Sequence, residues 1–253
     1  MFESGKFDDM LNYCIKLLEI NPDDMVALQN SALALLHLEK FEDSIIFCDK
    51  VLKIKNFDIY ALKNKIYSLE KLKRYDDALT CCKMILDIDG NDMWTLNSMG
   101  LSLNELDRHK EAVEFYDKTL KLDNKDITAL MNKAISLNHL RNYKDSIEYY
   151  DKAQMIDSSL HEASVAKSQA FEKLGMEDEA FLAAQGVLVK DMDQIKIDAK
   201  KNKCSVFHQY CQNEFEELNI SNLQKNISGT NVNIKKKIIL LKCLWIIIKI
   251  AMI

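Results

Sequence analysis

The sequence predicts an all-α fold built as a stack of short helix pairs, and three observations carry that prediction. Six Gly and one Pro in 253 residues are too few for a β protein made of tight turns, while 48% hydrophobic content suffices for a sizeable core. One phrase then recurs at intervals of 34 residues: Leu38-Glu39-Lys40-Phe41-Glu42-Asp43-Ser44, Leu72-Lys73-Arg74-Tyr75-Asp76-Asp77-Ala78, Leu106-Asp107-Arg108-His109-Lys110-Glu111-Ala112 and Leu140-Arg141-Asn142-Tyr143-Lys144-Asp145-Ser146, with a looser copy at Leu174–Ala180. A fixed period of this size is the mark of a solenoid. Within each period the apolar residues follow helical spacing on either side of the phrase.

Residues 1–24 read as the second helix of a partial unit, with Met10, Cys14 and Leu17 as its stripe and Asn21-Pro22-Asp23 as its stop. Five full units follow, at 25–58, 59–92, 93–126, 127–160 and 161–194. In 93–126, Leu96, Met99, Gly100 and Leu103 share one helical face, and Ala112, Phe115, Tyr116, Thr119 and Leu120 share another. Neither helix can bury its stripe alone, so stacking on neighbours supplies the stability. The last unit decays, with Lys190 where Ile20, Ile54, Ile88, Leu122 and Ile156 stand in the others. Residues 195–220 are expected to form a capping helix along Cys204, Phe207, Cys211, Phe215 and Leu218. Residues 221–253 are expected to be a linker and a basic, hydrophobic tail.

Small residues mark where the helices must approach closely. Ala32, Gly100, Ala134 and Ser168 hold the eighth position of their units, and Ser44, Ala78, Ala112, Ser146 and Ala180 the twentieth. Ile66 breaks the first series, which predicts a looser or repacked contact there. On this period and these positions the chain resembles the tetratricopeptide-repeat (TPR) family. The resemblance covers about three quarters of the chain. It implies a right-handed superhelix of antiparallel helix pairs whose first helices line a concave groove that docks peptides. Carried over by position, the groove residues are Gln29, Asn30, Leu33, Tyr60, Lys63, Asn64, Tyr67, Trp94, Asn97, Leu101, Met131 and Asn132. Tyr60, Tyr67 and Trp94 stand out, because Tyr and Trp are favoured interface anchors. The family's carboxylate clamp needs Lys, Asn and Arg at set positions. Lys63 fits, but Tyr67, Trp94 and Ser98 break the pattern, so docking of chaperone tails is not expected.

The remaining chemistry dissolves into the register. Cys14, Cys48 and Cys82 are 34 residues apart and lead on to Tyr116 and Tyr150, so they read as occupants of one packing slot. His109 fills the slot of Phe41, Tyr75 and Tyr143. Cys204, His208 and Cys211 fit a capping helix better than a zinc site, because Cys211 lies about 10 Å along the axis from Cys204. The sequence holds no HExxH, P-loop, GxGxxG or GxSxG motif. The expectation is therefore a non-enzyme with no metal and no cofactor.

Charge narrows the partners. Residues 1–200 hold 26 basic and 36 acidic side chains, and residues 201–253 hold 8 and 3. An acidic body argues against nucleic acid, which needs clustered Lys and Arg. The chain opens on a polar stretch with no secretory signal, so a cytoplasmic protein is expected, and its partner is a peptide or another protein. Two alternatives stand beside this reading. One is a structural segment of a larger repeat protein that self-associates through its terminal helices. The other is a membrane-associated adaptor whose residues 235–253, with Lys235, Lys242 and Lys249 on one stripe, lie on a bilayer. That membrane contact is disfavoured, and a truncated or non-native tail is the simpler source of the composition.

Overall fold

The computed structural model describes residues 4–201. These form twelve α-helices and no strand: α1 Ser4–Ile20, α2 Met25–His37, α3 Phe41–Ile54, α4 Ile59–Lys71, α5 Tyr75–Leu86, α6 Met93–Glu105, α7 His109–Leu122, α8 Ile127–His139, α9 Tyr143–Ile156, α10 His161–Lys173, α11 Glu177–Ala184 and α12 Val189–Lys201. The fold is an all-α TPR-type solenoid. The chain divides into two compact units at Ala163 and Ser164, within α10.

In the first unit consecutive helices pack in turn from α1 on α2 to α8 on α9, and α2, α4, α6 and α8 also touch in succession. Local chemistry repeats along with the packing. Asp24, Asp58, Asp92 and Asp126 cap α2, α4, α6 and α8, their side chains accepting from the N–H of Ala27, Ala61, Thr95 and Ala129 at 2.7–3.0 Å. Such a cap contributes about 1 kcal/mol. Each first helix closes through a residue in the left-handed region, Glu39, Lys73, Asp107 or Arg141, with φ of 57–59°. The following N–H returns to a carbonyl five residues earlier, as in Lys40 to Leu35 and Arg108 to Leu103, which is a Schellman turn. The second helices start without a side-chain cap, but carry acids in their first turns, among them Glu42, Asp43, Asp76 and Asp77, which suit the helix dipole.

Close approach is built from matched sizes. A Cβ on Gly100 would lie 2.6 Å from the Tyr116 ring, so the missing side chain makes room for a fully buried tyrosine. One repeat earlier the same two positions hold Ile66 and Cys82, both with no exposed surface and in the same core cluster. The bulk has moved to the other helix, so of the looser and the repacked contact expected at Ile66 the structure has the repacked one. Ala32 with Cys48 and Ala134 with Tyr150 fill the positions in the outer repeats. There Ser44 and Ser146 donate across the pair to the carbonyls of Ala32 and Ala134 at 2.9 Å. Cys14, Cys48, Cys81 and Cys82 are buried and free. Burial pushes the Cys48 thiol up to about 12, which makes it a packing group and a poor nucleophile.

In the second unit α11 packs on α12. Gly186 takes a left-handed φ of 84°, and the Val187 N–H returns to Leu182. That turn stops α11 at eight residues, where the second helices of the earlier full units run to 12 or 14. In consequence α12 begins at Val189, ahead of residue 195. Lys167, wholly buried, donates to the Val187 carbonyl at 2.9 Å, and Lys196 bridges to Glu179 at 2.8 Å.

Candidate groove on the first-helix wall

The predicted groove residues stand on four helices that touch in sequence. Gln29, Asn30 and Leu33 come from α2, Tyr60, Lys63, Asn64 and Tyr67 from α4, Trp94, Asn97 and Leu101 from α6, and Met131 and Asn132 from α8. Tyr60 is 78% exposed, Trp94 40% and Tyr67 37%, while the other nine are half-buried. Large aromatic surface is thus presented by α4 and α6 in particular.

Three of the twelve have a second task. The fifth residue of each unit reaches the cap aspartate of the next. Gln29 bonds to Asp58, Lys63 donates to Asp92 at 2.7 Å and Asn97 donates to Asp126 at 3.2 Å. Burial raises the Asp92 carboxyl, but bonds from Lys63 and Thr95 outweigh it and hold the group below the usual range. The series ends at Met131, where Leu160 stands in place of the cap aspartate. These side chains tie repeat to repeat, and Lys63 is neutralised where it sits. Its ammonium also lies 5.4 Å from the Trp94 ring centroid, a cation–π contact that holds the indole in position.

A second series closes the turn end of each repeat junction. The residue that opens α3, α5 and α7, and its register equivalent Phe7 in α1, meets the next first helix near its thirteenth residue. Phe7 stacks on His37 with centroids 4.1 Å apart, the Tyr75 hydroxyl donates to Glu105 at 3.0 Å, and His109 stacks on His139 at 4.4 Å. Burial, then the neighbouring His139, hold His109 below the usual imidazole range. The fourth junction differs. There Phe41 meets Tyr67 at 6.4 Å and 58°, Lys71 lies 5.1 Å from the Tyr67 ring, and a hollow of about 510 Å³ opens among Leu36, His37, Glu39, Phe41, Tyr67 and Lys71. Sequence reasoning assigned Phe41 to a packing slot and missed this hollow. The signal was the 30-residue offset from Phe41 to Lys71, which the Tyr75–Glu105 and His109–His139 pairs share.

Beside Lys71, Glu70 is half-buried and takes hydrogen bonds from Ser98 and Ser102 of α6. Burial outweighs those bonds and pushes its carboxyl up to about 7. In the next two repeats the equivalent residues are the neutral Asn104 and Asn138. Among the described residues no three His, Cys, Asp or Glu side chains are grouped to hold a metal ion, and no helix is long and apolar enough to cross a membrane. Cys204, His208, Cys211 and the tail at 235–253 lie outside the described residues.

The family described as Tetratricopeptide repeat matches residues 95–126 and 127–160. No curated protein sequence matches the chain. Among solved structures it resembles MamA 41-end from Desulfovibrio magneticus RS-1 at TM-score 0.59 and 21% identity, covering 63% of this chain and 90% of that one. A further MamA protein aligns at TM-score 0.60 and 17% identity over 69% and 94% of the two chains. YrrB, described as a TPR protein with an unusual peptide-binding site, aligns at TM-score 0.57 and 16% identity over 75% and 97%.

Proposed function

Because this chain is a tetratricopeptide-repeat protein, we propose that it is a non-enzymatic cytoplasmic scaffold that docks a peptide or partner protein on the wall made by α2, α4, α6 and α8. The observation that carries the reading is the exposed aromatic set Tyr60, Tyr67 and Trp94, of which Tyr67 also lines the hollow with Phe41. Burying such rings is a main source of binding energy at interfaces. Lys63 serves by holding Trp94, and Asn30, Asn64 and Asn132 offer amides suited to a ligand backbone. A peptide-binding site described for YrrB is consistent with this use of the fold. The free, buried thiols suit a reducing compartment.

The test is selection of peptides from a random library against the wild type, followed by binding to a Tyr67→Ala/Trp94→Ala variant. The selected peptides should lose about tenfold or more in affinity; equal binding would overturn the groove assignment. A second reading, assembly through an end helix, rests on α1, which exposes Tyr13 (65%), Ile15 (40%) and Ile20 (83%). A monodisperse monomer by light scattering at high concentration would exclude it.

A further inference from the structure

A second hollow, of about 480 Å³, opens on the face of the first unit carried by the second helices, among α7, α8 and α9. Its volume lies within the usual range for ligand sites. The floor is apolar: Leu120, Leu130, Met155 and Ile156. Leu130 is buried, while Met155 and Ile156 remain 61% and 42% exposed. The rim is cationic: Lys121, Lys125 and Lys152, all exposed. Lys152 pairs with the exposed Glu148 at 2.8 Å and lies 4.5 Å from the Tyr149 ring. The acid of the lining, Asp117, is neutralised by the buried Lys133, which also donates to the Tyr149 hydroxyl at 2.6 Å. The acid of the lining therefore does not offset Lys121 or Lys125, while Lys152 is paired with Glu148.

The register shows that this charge belongs to one junction. The three rim positions hold Lys53, Phe57 and Met84 two repeats earlier and Asp87, Asn91 and Lys118 one repeat earlier. Formal charge at these positions runs from one positive through zero to three positive, against a body in which acids outnumber bases by 36 to 26. Stacking needs none of this, since the equivalent junctions pack without it.

We infer that this hollow binds an acidic peptide segment in which large aliphatic or aromatic residues alternate with Asp or Glu. The apolar side chains enter the floor over Leu120 and Ile156, and the carboxylates meet Lys121, Lys125 and Lys152. An apolar floor beneath a cationic rim favours this ligand over nucleic acid, whose charged backbone would leave the floor uncovered. The site is separate from the first-helix wall and stands whether or not that wall binds peptide.

The experiment is fluorescence anisotropy on the full chain with a labelled peptide of alternating Glu and Leu. A Gln/Leu peptide and an oligouridine of equal charge serve as competing probes. Saturable binding is expected, weakened about tenfold or more by Lys121→Glu/Lys125→Glu and by Met155→Asp, and also by Gln in place of Glu. The matched reversal Lys50→Glu/Lys53→Glu, elsewhere on the second helices, should leave it within about twofold. Tyr67→Ala/Trp94→Ala should likewise leave it unchanged, which separates this site from the groove. The inference is overturned by absence of saturation at about 1 mM, by equal loss in the control reversal or the groove variant, or by tighter binding of oligouridine.

Discussion

The repeats at 59–92 and 93–126 share one backbone and solve its core in opposite ways. In the first, Ile66 faces Cys82; in the second, Gly100 faces Tyr116, whose ring stands so close that a Cβ on Gly100 would lie only 2.6 Å from it. The first presses a carboxylic acid, Glu70, against Ser98 and Ser102, while the second offers Asn104, which takes a hydrogen bond from Ser136 at 2.9 Å. Between these two repeats the bulk at the contact is divided in opposite ways across the same two positions. Residues at equivalent positions must be read in pairs.

Breaking the pairing should give the largest effect. Tyr116→Ala empties a fully buried site and should cost about 3–5 kcal/mol in denaturant unfolding. Gly100→Ile, which drives a side chain into the Tyr116 ring, should cost about 3 kcal/mol at the upper end of overpacking. Gly100→Ile/Tyr116→Cys imports the neighbouring solution and should recover most of the single-variant loss. Strict additivity of the two losses would show that the pairs are not equivalent.

A smaller effect sharpens the polar half of the comparison. The Glu70 carboxyl titrates near 7 in the fold against about 4.3 in an unfolded chain. Its contribution is therefore fully present below the unfolded value and lost as pH rises through 7. Glu70→Gln should stabilise the protein at pH 8 by about 1–2 kcal/mol and flatten the stability profile between pH 5 and 8, where His109, held low by burial and His139, acts with the opposite sign. A variant as pH-dependent as the wild type there would remove Glu70 from the account. Smaller again, Asp92→Ala removes a helix cap and the Lys63 tie together, for about 1 kcal/mol, and should loosen Trp94, read as a change in its fluorescence anisotropy.

How much of this was legible follows from distance along the chain. The helix pairs and the cysteine slot could be read because each recurs with the same kind of residue at the same place in successive periods. The fates of Gln29, Lys63 and Asn97 could not be read the same way, since each partner lies 29 residues on, and a first-helix position looks like groove until its cap partner is seen. The column of Ile66 alone leaves a looser and a repacked contact open, and only Cys82 in the partner column decides for the repacked one. Phe41 was assigned to packing, and the hollow it lines appears only when Tyr67 and Lys71 are brought beside it. The early end of α11 was announced by Gly186, whose left-handed turn no other repeat carries at that place.

The most direct test of peptide docking uses Trp94 itself. In a Trp245→Phe background Trp94 is the sole indole, so titration with a library-selected peptide reports on the first-helix wall alone. The account predicts a saturable change in Trp94 emission that weakens about tenfold or more in Tyr67→Ala. Saturable binding of that peptide, measured independently, with Trp94 emission unchanged would contradict it.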